Sequence, residues 1–235
     1  MNQFTIKEDH GDELRWKLEQ LSELTEEDFI RLLEEETFPI DQFFSYYRCA
    51  IMEIETKFRV LNEQFSLRGE KNPIEFISSR IKSYASIMHK LHSRQLPRTL
   101  DSIEQGLDDI AGIRVVCSFR DDIYRLAESF LRQDDITLLE KKDYIASPKP
   151  NGYRSLHLIV TVPIFLESET RLVKAEVQLR TLAMDFWASV EHKLRYKKDL
   201  PPETLAMLSN DLKRCAEQSA DWDDKMQNIK DLLQG

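Results

Sequence analysis

Two runs of residues near the middle of this 235-residue chain constrain its fold most. Residues 156–166 and 171–179 each alternate apolar and polar side chains, and only the polar link Glu167-Ser-Glu-Thr170 separates them. A period of two is typical of strands with one buried face, and a link this short joins antiparallel neighbours. The sequence therefore predicts a β-sheet that contains this hairpin.

Further strands and helices are predicted beside the hairpin. The β-branched run from Ile110 to Phe119 indicates a buried strand, and residues 136–144 indicate a weaker one. Helices are expected from Asp121 through Leu131 and over residues 181–195. This mixture predicts an α/β (α+β) fold with a mixed sheet.

Long helices are predicted at both ends of the chain. Apolar residues from Ile40 to Phe65 recur every three or four positions, which indicates one helix over residues 39–68. Pro73 is expected to open a second helix reaching about Ser93, and a weaker helical signal begins at Thr25. A last helix follows Pro201-Pro202, with a ladder of positions alternately three and four apart: Leu205, Leu208, Leu212, Cys215, Ser219, Trp222, Met226, Ile229 and Leu233.

Composition excludes several classes of protein. No stretch approaches the roughly 20 apolar residues that a membrane-spanning helix needs, and the first residues lack the pattern of a secretory signal, so a cytoplasmic protein is expected. The three cysteines, Cys49, Cys117 and Cys215, have no zinc-site spacing and are expected to be buried and reduced.

The formal net charge of -9 is unevenly distributed. Residues 1–60 carry 15 acidic and 7 basic side chains, and residues 200–235 carry 7 and 4, whereas residues 61–199 carry 20 acidic and 22 basic ones. The total disfavours a long nucleic-acid partner. The mildly basic middle is compatible with small phosphorylated ligands.

Two carboxylates are candidate magnesium ligands. Asp109 directly precedes the strand at Ile110, and Glu176 interrupts the apolar alternation of residues 173–179. Carboxylates that converge from strand ends are a usual way to hold magnesium against phosphates. A solvated outer face of the sheet explains Glu176 equally well, and a turn or capping role explains Asp109.

Cations and an aromatic side chain form two further candidate sets. Arg80, Lys82, Ser86 and Lys90 lie near one another on the expected second helix, where they could grip a triphosphate or simply form a solvated face. Arg114 interrupts an apolar strand and needs an anionic or aromatic partner. In the loop from Lys149 to His157, Tyr153 could stack a base, or pack on the sheet as in an ordinary turn.

No common nucleotide-binding or hydrolase signature occurs, but six ordered motifs do resemble one family. They are Arg80-x-Lys82, Asp109-Ile-Ala-Gly-Ile-Arg114, Asp143-Tyr-Ile, Asn151-Gly-Tyr-Arg-Ser-Leu-His157, Glu176-Val-Gln-Leu-Arg180-Thr and Trp187-Ala-Ser-Val-Glu-His192. The chain resembles the RelA/SpoT alarmone synthetases over residues 73–198, and its length is similar to that of the small, synthetase-only members of the RelP type.

The resemblance implies a reaction and a set of roles. Family members have a nucleotidyltransferase-like core and transfer the β,γ-diphosphate of ATP to the ribose 3′-hydroxyl of GDP or GTP. It implies that Asp109 and Glu176 hold Mg²⁺, with Glu176 also the general base. ATP would be bound by Arg80, Lys82, Ser86, Lys90 and Arg114, and the acceptor by Tyr153, Lys149, Asn151, Arg154, His157, Gln178 and Arg180.

The resemblance also implies an organisation of the chain. It suggests an N-terminal helical region over residues 1–72, a synthetase core over 73–198 and a C-terminal helix over 199–235, with the terminal helices assembling a homotetramer. The sequence departs from some relatives at Arg94 and Asp185. It contains no adjacent His-Asp pair, which the hydrolase domain of longer members needs, so synthesis without hydrolysis is expected.

Two other functions remain open from the sequence. A related diphosphotransferase toxin would act on adenine nucleotides or tRNA ends, and a sensor would bind nucleotides without turning them over. The presence of both Asp109 and Glu176 favours an enzyme.

Overall fold

The computed structural model of the protein describes residues 37–67, 72–195 and 202–234. The expected helix near Thr25 lies outside these ranges, as do residues 1–36, the first half of the predicted N-terminal region. Among the described helices none is long and apolar enough to cross a membrane.

Five strands form one mixed sheet. They are β1 (Ile74–Ile81), β2 (Ala111–Cys117), β3 (Thr137–Asp143), β4 (Leu156–Phe165) and β5 (Thr170–Thr181). Their order in space is β1-β2-β5-β4-β3, and every neighbouring pair is antiparallel except β2 with β5. The predicted hairpin, β4–β5, and the mixed sheet are therefore confirmed.

Six helices are present in the described ranges. They are α1 (Thr37–Leu67), α2 (Tyr84–Ser93), α3 (Leu100–Gly106), α4 (Arg120–Leu131), α5 (Leu182–Arg195) and α6 (Pro202–Gln234). The sequence predicted α1, α4, α5 and α6 and missed the short α3, which Thr99 caps by accepting a hydrogen bond from the Ser102 amide.

The prediction of one helix from Pro73 to Ser93 is wrong. Residues 74–81 are strand β1, and the helix begins only at Tyr84. A β-bulge between Ile74 and Phe76 shifts the alternation, so that Ile74 reaches the same buried side as Ile77. The resulting spacing of three and then four imitates a helical period, and only the pairing with β2 reveals the strand.

The two faces of the sheet are chemically different. One face packs against α1 and α4 around side chains such as Ile54, Phe58, Val115, Leu126 and Val177, which are all fully buried. The periodic apolar positions of α1 from Phe43 to Phe65 are thus buried in the core of its own chain, so this face of α1 is not available for the subunit contact expected of both terminal helices. Along β5 the opposite face carries polar side chains, which is where the candidate site lies.

Helix α6 packs on the domain with a largely polar stripe. Ser219, Asp223 and Gln227 are buried, together with Ala216. The apolar ladder predicted from the sequence mainly faces outward instead: Leu208, Cys215, Trp222, Met226, Ile229 and Leu233 are exposed. The expectation of a buried Cys215 is therefore wrong, whereas Cys117 is fully buried.

We expect Phe58→Ala to lower the free energy of unfolding by about 3–5 kcal/mol, because the fully buried ring stacks on Phe130 at a centroid distance of 4.6 Å. Urea denaturation followed by circular dichroism measures the change. Val60→Ala on the same helix is the control, since Val60 is 61% exposed and its truncation should change stability by about 0.5 kcal/mol or less. Equal losses in both variants would contradict the assignment of α1 to the core.

Candidate functional site

The site is built on the polar face of four adjacent strands. Antiparallel pairing sets Arg80 of β1 opposite Gly112 of β2, and parallel pairing sets Gly112 beside Glu176 of β5. Two residues further along, Arg114 lies beside Gln178, and Gln178 faces His157 of β4. Because alternate residues of a strand share a face, these side chains form two polar rows across the sheet.

A cleft of about 160 Å³ opens on this face. Its lining includes both candidate carboxylates and both arginines that were predicted to bind the donor: Asp109, Glu176, Arg80 and Arg114. Gly112 lies between the two arginines and has no side chain. A methyl group at this position would lie 3.7 Å from Cγ of Arg80, which is an ordinary van der Waals contact. The sheet therefore brings together groups from three separate motifs.

Asp109 is held by two lysines at the edge of the cleft. Its Oδ2 atom lies 2.9 Å from Nζ of Lys82 and 2.8 Å from Nζ of Lys90. Burial acts to raise the pKa of Asp109, but hydrogen bonds from Lys90 and Lys82 outweigh it and leave the pKa below its ordinary value. The carboxylate is thus ionised at neutral pH.

The other oxygen of Asp109 has the environment of a metal ligand. Oδ1 is buried, and within the described ranges no hydrogen bond reaches it. An unsatisfied carboxylate oxygen is costly unless a ligand completes it. No cluster of three or more acidic, histidine or cysteine side chains suited to a metal occurs in the described ranges. Mg²⁺ suits such a sparse site, since it is commonly bound by one or two carboxylates together with substrate phosphates.

Glu176 is largely buried in the sheet, with 16% of its side chain exposed, and each of its carboxylate oxygens has a hydrogen-bond partner. Its Oε1 atom lies 2.9 Å from Nδ1 of His157, and the side-chain amide of Gln178 donates to Oε2 at 2.8 Å. Burial and the charge of Asp109 act to raise the pKa of Glu176, but the hydrogen bonds and the nearby imidazole lower it overall. The solvated outer face considered from the sequence is therefore excluded for Glu176.

A chain of hydrogen bonds continues from His157 to Arg180. Arg180 donates to the Tyr153 hydroxyl oxygen at 2.6 Å, and that hydroxyl lies 2.8 Å from Nε2 of His157. If the Tyr153 hydroxyl donates a hydrogen bond to Nε2, the imidazole of His157 carries its proton on Nδ1. The Nδ1–H group then donates a hydrogen bond to Glu176. Every polar atom along this chain then has a partner in one proton arrangement.

Asp185 of α5 links the two arginines on the polar face. Its Oδ1 atom lies 3.2 Å from Nη1 of Arg114 and 3.2 Å from Nη1 of Arg180. Burial and the neighbouring Arg180 lower the pKa of Arg114, and Asp185 opposes that effect. The carboxylate therefore lets two guanidinium groups lie close together, one from each predicted nucleotide subsite.

The start of α2 offers further groups at the cleft edge. Ser83 caps the helix by accepting from the Ser86 amide at 3.4 Å, and its hydroxyl donates to Oγ of Ser86 at 2.9 Å. A helix N-terminus presents free amides and favours anions. Lys90 follows Ser86 by one turn. Arg94, at the end of α2, donates to the Gly106 carbonyl.

The loop before β4 brings an aromatic cluster to the same end of the sheet. Nζ of Lys149 lies 4.4 Å from the ring centroid of Tyr144 and 4.9 Å from that of Tyr153. Asn151 shapes the turn by accepting from the Tyr153 amide at 3.2 Å, and its own amide donates to Glu191 of α5 at 3.4 Å.

Most predicted site residues therefore converge, and one does not. Arg154 points to a second, much smaller cavity between the loop, α5 and α6. Sequence reasoning missed the partnership of Asp185 with the arginines and the contact of Lys149 with Tyr144. The only available signal was the isolated acidic residue in the first turn of the apolar helix α5.

Comparison with known proteins identifies relatives over most of the chain. A family model described as "Region found in RelA / SpoT proteins" matches residues 79–200. The chain is 43% identical to GTP pyrophosphokinase YwaC of Bacillus subtilis, over 78% of this chain and 87% of that protein. It is 37% identical to GTP pyrophosphokinase YjbM of the same species, over 83% and 90%.

Solved structures agree with the sequence comparison. The crystal structure of small alarmone synthetase 1 from Bacillus subtilis bound to its product pppGpp superposes with a TM-score of 0.75, at 36% identity, over 84% of this chain and 99% of that one. A GTP pyrophosphokinase family protein from Streptococcus pneumoniae gives a TM-score of 0.76 at 34% identity, over 84% and 96%. The α+β fold is thus shared with alarmone synthetases.

We expect His157→Ala to raise the pKa of Glu176, because the substitution removes the main group that opposes burial. The rise can be measured by carbon-13 NMR of labelled glutamate side chains. His89→Ala is the control, since His89 is exposed on α2 and should leave this titration unchanged. A Glu176 pKa that does not respond to loss of His157 would contradict the hydrogen-bonded arrangement.

Proposed function

This chain belongs to the RelA/SpoT family, and from that premise we propose that it is a magnesium-dependent (p)ppGpp synthetase. It transfers the β,γ-diphosphate of ATP to the ribose 3′-hydroxyl of GDP or GTP and releases AMP. One observation carries the proposal: Asp109, whose buried Oδ1 atom has no hydrogen-bond partner among the described residues, lines one cleft together with the ionised Glu176, Arg80 and Arg114.

The donor nucleotide is assigned to the side of the cleft formed by β1, β2 and α2. Arg80 and Arg114 would lie on either side of the adenine, where a guanidinium plane can stack on an aromatic ring. Ser86 and the free amides of α2 would meet the phosphates. We expect Lys82 and Lys90 to exchange their contact with Asp109 for phosphate oxygens when ATP binds.

Asp109 and Glu176 would hold the Mg²⁺ ion, with ATP phosphates completing its coordination. The ion, when bound, neutralises charge on the phosphates during transfer. Two observations support this assignment. No group in the described part of the chain hydrogen-bonds to Oδ1 of Asp109, and the lowered pKa of Glu176 keeps its carboxylate ionised at neutral pH.

The acceptor is assigned to the side of the cleft formed by β4, β5 and the preceding loop. The Tyr153 ring would stack on guanine, with Asn151, Gln178 and Arg180 supporting the site, while Lys149 and His157 would meet acceptor phosphates. Arg154 would contribute indirectly, since it faces the second cavity.

Glu176 would act as the general base. It accepts the proton of the 3′-hydroxyl as the oxygen forms a bond to the β-phosphorus of ATP; the bond from that phosphorus to the α,β-bridging oxygen breaks, and AMP leaves with the oxygen. His157 and Gln178 hold the carboxylate in place for this transfer. We assign the protein to the cytoplasm, with synthesis but no hydrolysis of the alarmone and no requirement for nucleic acid.

We expect Glu176→Gln to lower the rate of diphosphate transfer by at least about 100-fold, since a general base contributes that much or more. The assay follows labelled ppGpp formed from γ-labelled ATP, GDP and Mg²⁺. Glu167→Gln in the turn between β4 and β5 is the matched control and should retain the wild-type rate. A fully active Glu176→Gln would refute the base assignment.

The same assay separates the alternatives. Transfer to ATP or tRNA in preference to GDP or GTP would indicate the toxin-like acceptor, and nucleotide binding without any product would indicate a sensor. Release of diphosphate from added ppGpp would contradict synthesis without hydrolysis.

We propose that the chain assembles as a homotetramer through its C-terminal helices. A tetramer with dihedral symmetry needs two different surfaces that each contact a copy of themselves. Two apolar stripes are exposed: the ladder of α6 around Trp222 and Met226, and a stripe on α5 with a spacing of four, namely Leu182, Phe186, Val190 and Leu194. Contiguous exposed apolar residues are typical of interfaces between proteins.

We expect Trp222→Glu and Phe186→Glu each to convert the tetramer to a dimer, because a buried unpaired charge disrupts an apolar contact. The double variant should be monomeric. Light scattering gives the mass, and Asn228→Glu, at an exposed position of α6 away from the ladder, should leave it unchanged. A monomeric wild-type protein, or a double variant that remains tetrameric, would refute the proposal.

A further inference from the structure

The acceptor loop presses directly on the C-terminal helix. Gly152 has a φ angle of +91°, and a methyl group at this position would lie only 2.5 Å from Cβ of Ala216. The nearest backbone atoms of α6 there, Cα and the carbonyl oxygen of Lys213, would be 3.8 Å away. Only glycine fits both the backbone angle and this close approach.

Two opposite charges lie beside this contact, Asp223 buried and Arg154 partly buried. Arg154 and Asp223 line the same small cavity, and the Nε and Nη1 atoms of Arg154 are buried without a hydrogen bond in the described ranges. The Oδ2 atom of Asp223 accepts a hydrogen bond from Thr181 at 2.8 Å. Burial raises the pKa of Asp223, while the hydrogen bond and the charge of Arg154 oppose the rise.

Helix α6 is itself fixed to the frame of the active site. The indole of Trp187 in α5 donates to the Leu212 carbonyl at 2.8 Å, and Ser219 donates to the Ala183 carbonyl at 3.0 Å. Thr181, which bonds Asp223, is the last residue of β5 and directly follows Arg180. A rigid helix therefore touches the loop at one point and the catalytic strand at another.

Tyr153 lies between the two loop residues that face α6. Its hydroxyl bonds to Arg180 and His157, so a shift of Gly152 or Arg154 moves a ring that is tied to the Glu176 network. We propose that α6 positions the acceptor loop, with Ala216 and Asp223 as positioning residues for the guanine nucleotide. The inference rests on the proposed function, because it concerns the acceptor of that reaction.

The main test is Ala216→Val. Two added methyl groups would push on Gly152 and should raise KM for GDP by about tenfold, as overpacking by about 1.4 kcal/mol would. KM for ATP should change by less than about twofold, because the donor side lies on β1, β2 and α2. Glu217→Val is the matched control: it introduces the same β-branched residue into α6 at an exposed position.

Asp223→Asn is a second test that does not endanger the fold. A carboxyl whose pKa is raised by folding stabilises the protein only at low pH, and this contribution is lost as the pH rises through the raised pKa. The amide should therefore leave neutral-pH stability unchanged or higher. Loss of the charge opposite Arg154 should still raise KM for GDP, by roughly threefold or more, without a matching change for ATP.

A suppressor pair tests the contact itself. Gly152→Ala should be impaired both by its positive φ angle and by the collision with Ala216. Adding Ala216→Gly removes only the collision and should restore part of the GDP affinity, whereas Glu217→Gly in the same background should restore none.

Amide hydrogen exchange tests the same contact without depending on turnover. Amide exchange at Lys149 and Gly152, which hydrogen-bond within the loop to the Tyr153 and Lys149 carbonyls, should accelerate in Ala216→Val. Equal changes in KM for GDP and ATP, unchanged exchange, or no rescue by Ala216→Gly would each overturn the inference. Failure of the wild-type protein to make ppGpp would instead refute the proposed function and leave the exchange result to decide the loop contact.

Discussion

The negative charge of Glu176 has to be compensated inside the sheet, and much of the polar face is arranged around it. A buried carboxylate is costly unless hydrogen bonds satisfy it. His157 and Gln178 supply those bonds, and both are held in turn, His157 by Tyr153 and Gln178 by Arg180. A substitution anywhere along this chain therefore acts on the carboxylate through its neighbours as well as locally.

The donor side solves the same problem with ion pairs. Asp109 is partnered by Lys82 and Lys90 through a single oxygen, which leaves the other oxygen available. Each side of the cleft thus holds an ionised carboxylate, but in different environments. Both oxygens of Glu176 accept hydrogen bonds from neighbouring side chains, whereas one oxygen of Asp109 has no hydrogen-bond partner in the ranges that the structure describes. This contrast is compatible with the proposed roles, in which both carboxylates hold the metal and only Glu176 also accepts a proton.

The sequence predicted those parts of the fold that follow from local periodicity. Alternation in β5 correctly placed Glu176 and Gln178 on one face, and the short link at residues 167–170 predicted the β4–β5 hairpin. Prediction from local periodicity was wrong where one pattern of apolar residues is compatible with both a helix and a strand. The bulge at Ile74 gave β1 a helical spacing, and this error placed Arg80 and Lys82 on a helix although they lie on and just after an edge strand.

Other features of the site depend on which strands and helices become neighbours. Nothing local to Asp185 predicts that it will bridge Arg114 and Arg180, because the three residues meet only when α5 follows β5 back over the parallel neighbour β2. For the same reason, the sequence did not predict the polar packing of α6. Asp223 and Gln227 resemble solvated positions until Thr181 and the amide of Asp121 are brought against them.

The two roles proposed for helix α6, subunit contact and positioning of the acceptor loop, belong to different faces of the helix. At 3.6 residues per turn, the ladder around Trp222 and Met226 lies roughly a quarter of a turn from the stripe of Ala216, Asp223 and Gln227. One face is thus exposed, while the adjacent face touches the acceptor loop. Because a helix moves as a rigid body more readily than it bends, a subunit contact on the ladder would also fix the position of Ala216 against Gly152. In the proposed tetramer, assembly and acceptor binding would then be coupled through the orientation of one helix.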